Sequence, residues 1–60
     1  MKPYWTICDE RGTVIVENIY DYHAAQSIVK KLVAEFGRTY IVREYGLKSV
    51  AMFTPKRINS

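Results

Sequence analysis

Few groups in this 60-residue chain can act as nucleophile, base or metal ligand: one thiol, Cys8, one imidazole, His23, and the adjacent acids Asp9 and Glu10. A catalytic histidine needs a nucleophile or a substrate cleft at its side. His23 is flanked instead by Tyr20, Asp21 and Tyr22, which suits a solvent-facing position in the first turn of a helix. A reactive thiol needs a neighbouring cation or a helix N-terminus, and the simpler reading of Cys8 is a small apolar residue in a strand. One cysteine and one histidine make neither an intramolecular disulfide nor a Cys/His zinc site. Gly12, Gly37 and Gly46 are isolated, so no phosphate-cradling loop is present, and Asp9 with Glu10 lacks a second carboxylate pair for a hard cation. The expectation is a protein that is not an enzyme and takes no cofactor and no metal.

A second group of residues suits binding. The stretch RTYIVREYGLKSVAMF, residues 38–53, places Arg43, Tyr45 and Lys48 among Ile41, Val50 and Met52, with Arg38 at its start and Lys56 and Arg57 beyond its end. The net charge of +3 is unevenly spread: residues 1–37 carry −1 and residues 38–60 carry +4. Cations reach phosphates and tyrosines stack on bases. Arg38, Arg43, Tyr45, Lys48, Lys56 and Arg57 therefore form a candidate nucleic-acid surface, although no ribonucleoprotein-type motif accompanies them. The competing reading treats the charges as a rim around a protein interface built from Tyr4, Ile15, Ile41, Tyr45, Val50 and Met52.

Which reading holds depends on the elements that position these side chains. YWTIC (residues 4–8) and TVIVE (residues 13–17) are rich in aromatic and β-branched types and flank the turn DERG. They predict a hairpin. A three-residue loop would pair Ile7 with Ile15, whereas a four-residue loop pairs Ile7 with Val14 and Trp5 with Val16. The second gathers apolar residues on one face and is preferred, leaving Tyr4, Thr6, Cys8, Thr13, Ile15 and Glu17 on the other. Asp21 reads as a helix N-cap. From Tyr22 onward, Ala25, Ile28, Val29, Leu32, Val33 and Phe36 form one apolar stripe, and Gly37 suits the position just past the helix end.

The final hairpin is expected to turn on Gly46 and Leu47, pairing Tyr45 with Lys48. Tyr40, Val42, Ala51 and Phe53 then face the helix. Ile41, Arg43, Tyr45, Lys48, Val50 and Met52 lie on the outer side. The predicted fold is α+β: a ββαββ chain forming an antiparallel four-stranded sheet with one helix packed on one face. One small domain is expected to span residues 1–60, with an ordered core at about 3–54 and a flexible tail at 55–60 after Pro55 ends the last strand.

The order strand, acidic-glycine turn, strand, helix in YWTICDERGTV followed by DYHAAQSIVKKL is loosely similar to the arm-binding domains of phage-type integrases. Those domains usually have three strands before the helix and many more cations on the sheet, so no residue role is carried over. A chain this short buries only roughly 60% of its unfolded surface, and without disulfide or metal the usual aid to stability is self-association. No run of about 18 apolar residues is present. These features lead to the expectation of a cytoplasmic interaction or regulatory accessory protein, of the kind found in phages and mobile elements. It is expected to be homodimeric, with nucleic-acid binding as the alternative and no membrane association.

Overall fold

The computed structural model of the protein describes residues 2–56. Its elements are β1 (Trp5–Asp9), β2 (Val14–Ile19), α1 (Tyr22–Phe36), β3 (Tyr40–Glu44) and β4 (Lys48–Phe53). All strand pairs are antiparallel, in the spatial order β2-β1-β3-β4. The chain is thus the expected α+β fold, with one helix and one four-stranded sheet. No helix among the described residues is long and apolar enough to cross a membrane.

The helix begins where a side chain satisfies its free donors. Asp21 is extended, and its carboxylate accepts a hydrogen bond from the Ala24 N–H at 3.2 Å. It stops at Gly37, whose φ of 64° and ψ of 31° are left-handed and whose N–H donates to the Val33 carbonyl at 2.9 Å. Between the caps, Ala25 and Val29 are fully buried against Ile7, Ile19, Tyr40 and Val42 of the sheet. Ile28, Leu32 and Val33 pack at the margin of that core, with Trp5, Val16, Ala51 and Phe53 coming from the strands. Phe36 continues the predicted stripe beyond the margin of the core, beside Leu32. It lies in the last helical turn and is mostly exposed.

The first hairpin corrects the preferred register. Cys8 pairs with Val14, Ile7 with Val16 and Trp5 with Ile19, in place of Ile7 with Val14 and Trp5 with Val16. Asp9 sets the loop: its Oδ1 accepts from the N–H groups of Arg11 and Thr13, each at 2.9 Å. Its own N–H donates to the Thr13 carbonyl, and its carbonyl accepts from Gly12, where φ is 88°. These bonds close a three-residue loop. Two register shifts follow, each adding one residue to β2, and Asn18 sits in the second with a left-handed φ of 60°. The shifts rephase the strand so that Val16 and Ile19 both reach the core.

The second hairpin turns one residue earlier than predicted. Leu47 N–H donates to the Glu44 carbonyl, and the central residues Tyr45 and Gly46 both have positive φ, 56° and 68°, as primed hairpin turns require. Glu44 pairs with Lys48, leaving Tyr45, Gly46 and Leu47 as a three-residue loop, where a two-residue loop pairing Tyr45 with Lys48 had been expected. A shift at Val50 then restores the predicted pairs Ile41 with Met52, Val42 with Ala51 and Tyr40 with Phe53. The core set Tyr40, Val42, Ala51 and Phe53 is as predicted.

A candidate binding face on the open side of the sheet

Because directly paired residues share a face, the ladders define rows across the sheet. On the helix side, Val16, Ile7, Val42 and Ala51 form the central row. The opposite side has no helix on it. There Val14, Cys8, Ile41 and Met52 form an apolar row spanning all four strands. The next row outward on that side places Thr6, Arg43 and Ser49 together. At the far end the Tyr45 N–H donates to the Tyr4 carbonyl at 2.9 Å, which extends the β1–β3 ladder to a Tyr4–Tyr45 pair. Their rings meet edge to face at 5.3 Å, and Tyr4 Oη donates to the Tyr45 carbonyl.

This face has relief. Cys8 is only 1% exposed and Thr6 only 4%, although neither lies under the helix. Both are small residues of the central strand β1, flanked by larger side chains across the ladder: Val14 and Ile41 beside Cys8, Arg43 beside Thr6. Gly46 also approaches, its position for a Cβ lying 3.7 Å from the Thr6 hydroxyl. The face is thus closed over β1, and its most exposed apolar residues stand on the outer strands, Val14 on β2 and Met52, 67% exposed, on β4. Arg43 lies partly buried here, with its Nε out of solvent and without a hydrogen-bond partner among the described residues.

The predicted site residues separate into several places. Tyr4, Ile41, Tyr45 and Met52 share the open face. Val50 sits in the β4 shift and is exposed beside that face. Ile15 leaves the group: the β2 irregularity turns it to the helix side, where it lines a hollow of about 310 Å³ with Leu32, Phe36, Arg38 and Tyr40. The candidate cations do not converge. Arg43 is on the open face, but Lys48 pairs with Glu44 in a row belonging to the helix side. Arg38 borders a hollow containing the acids Asp9 and Glu10. Lys56 lines a groove with Lys30, Val33 and Phe53 beside the helix. Arg57, with the rest of the tail at 57–60, lies outside the described residues.

Asn18, Tyr20 and Lys2 were not singled out from the sequence, yet with Tyr4 they line a shallow hollow of about 650 Å³. The signal for them was faint. Asn18, left-handed at a register shift, lies beside Tyr20 at this end of the face, a break that counting along a regular strand does not reveal. No family model, curated protein or solved structure matches the chain.

Proposed function

We propose that the protein is a small non-catalytic interaction module, a regulatory or accessory protein that works through the open face of its sheet and associates as a homodimer. The carrying observation is the row Val14, Cys8, Ile41 and Met52, which is apolar from one edge of the sheet to the other. A sheet covered on one side normally alternates to polar residues on the other. A contiguous apolar strip in that place favours a protein partner. The proposal places the protein in the cytoplasm, where a lone thiol such as Cys8 stays reduced. Size-exclusion chromatography with light scattering tests it. The wild type is expected at twice the chain mass, and Ile41→Lys or Met52→Lys is expected to return it to one chain mass. A wild type that remains monomeric at high micromolar concentration would sink the reading.

Nucleic-acid binding is a second reading, favoured by the tyrosine end of the same face. Tyr4 and Tyr20 with Lys2 border one hollow, Tyr45 packs on Tyr4, and Arg43 lies in the neighbouring row. It predicts affinity for single-stranded probes that falls steeply with salt and drops on Arg43→Ala. Lys48→Ala, on the helix side, is expected to matter less.

A further inference from the structure

We infer that two copies of the chain pack open face to open face about a two-fold axis running along the strands between β1 and β3, so that Arg43 of each copy reaches Glu17 of the other. The inference rests on the proposed reading of that face as a self-association surface, and specifies its geometry.

Shape is the first argument. Thr6 and Cys8 on β1 are small and buried, and the larger, partly buried Arg43 and Ile41 of β3 lie beside them. A two-fold axis between these strands lays β3 of each copy over β1 of the other, Ile41 over Cys8 and Arg43 over Thr6. Large side chains meet small ones along these middle strands, and β2 of one copy lies over β4 of the other, bringing exposed Val14 against exposed Met52. All four strands are then covered at the usual sheet-to-sheet spacing of about 10 Å. The arrangement is isologous, as a closed dimer requires.

Charge is the second argument. Val16 pairs with Ile7 on the core side, and the inference places the next residue, the exposed Glu17, on the open face beside Thr6. Within one copy β1 separates Glu17 from Arg43 by two strand spacings, roughly 9.5 Å. In the face-to-face pair, Arg43 lies over β1 of the other copy, only one spacing of about 4.8 Å to the side of Glu17. The two long side chains meet easily across that distance. Arg43, whose Nε is enclosed by its own chain and has no hydrogen-bond partner among the described residues, offers its outer guanidinium nitrogens to that carboxylate, and the contact occurs twice by symmetry.

The edges supply the third argument. Pairing through an edge strand would need a regular ladder, but β2 has two irregularities, while β4 has one at Val50 with Lys48 and Pro55 at its ends. Such features blunt edges against edge-to-edge pairing. The face is left as the route to association.

Charge exchange on the full chain tests the arrangement, read as the dimer dissociation constant by sedimentation equilibrium. Arg43→Glu and Glu17→Arg each place like charges together at two symmetric points, and each is expected to weaken the dimer by about tenfold or more. The double variant Arg43→Glu/Glu17→Arg restores opposite charges and is expected within about threefold of wild type. Arg43→Gln and Glu17→Gln give smaller losses, and circular dichroism checks that every variant is folded. A dimer indifferent to the single changes, or not rescued by the double, overturns this geometry while leaving the self-association reading intact. A monomeric wild type overturns both.

Discussion

Tyr45 adopts a backbone conformation, φ 56°, that a bulky side chain rarely takes and that costs on the order of 1–2 kcal/mol. Asparagine or glycine is the usual occupant at this point of a primed turn. Tyr4 explains the exception: it accepts the Tyr45 N–H, donates its hydroxyl to the Tyr45 carbonyl and meets the Tyr45 ring edge to face. The tyrosine is held where its ring extends the open face. Replacing the ring separates the two effects. Tyr45→Ala and Tyr45→Asn both lose the aromatic contact, but only asparagine tolerates the left-handed backbone. The asparagine variant is therefore expected to be more stable than the alanine variant by about 1 kcal/mol in urea denaturation. Equal midpoints for the two would show that the turn carries no such strain.

At the scale of elements, stability depends on a few backbone positions that only certain residues can occupy. Gly37 ends α1 at φ 64°, and a Cβ there would meet nothing within 4 Å. Gly37→Ala is consequently a purely conformational change, expected to cost about 1 kcal/mol, as a shift of the thermal midpoint will show. Asn18 is the equivalent position in β2. Asn18→Gly is expected to be nearly neutral. Asn18→Val, β-branched and left-handed, is expected to lose about 1–2 kcal/mol and to disturb the packing of Ile19 on the core, visible as reduced amide protection along β2. Unchanged protection in Asn18→Val would show that the strand holds its phase without this residue.

The same positions explain how much of the fold the sequence revealed. The helix was legible from Asp21 to Gly37 because its caps and its 3.6-residue stripe agree. The core half of the second hairpin was legible because Tyr40, Val42, Ala51 and Phe53 obey strict alternation on both sides of the turn. Register was not. A ladder counted outward from a turn assumes every residue has a partner, and three irregularities break that assumption, two in β2 and one in β4. They moved Ile15 and Lys48 off the open face and brought Asn18 and Tyr20 to its end. The hydrogen bonds of Asp9 close a three-residue loop, whereas the apolar pattern favoured four, and the irregularities reconcile the two.

For the molecule as a whole, the proposed homodimer would link folding to association through the open face. A chain of 60 residues has little core to spare, so any surface buried between copies forms a large share of its stability. The proposed dimerisation would then make the thermal midpoint depend on protein concentration. The midpoint is expected to rise as wild-type concentration is raised a hundredfold, and to stay flat for Met52→Lys. A flat wild-type response would contradict the homodimer.

The strand order also bears on how quickly the chain finds its shape. Each outer ladder, β1 with β2 and β3 with β4, joins strands adjacent in sequence, while the central ladder, β1 with β3, closes across the second strand and the entire helix. Local hairpins form in microseconds, but a non-local ladder must first overcome the entropy of closing its loop. The slow step is therefore the meeting of two preformed hairpins along β1 and β3. Weakening the Ile7–Val42 contact there should slow folding, and weakening either turn, formed before that step, should likewise act on the folding rate more than on unfolding.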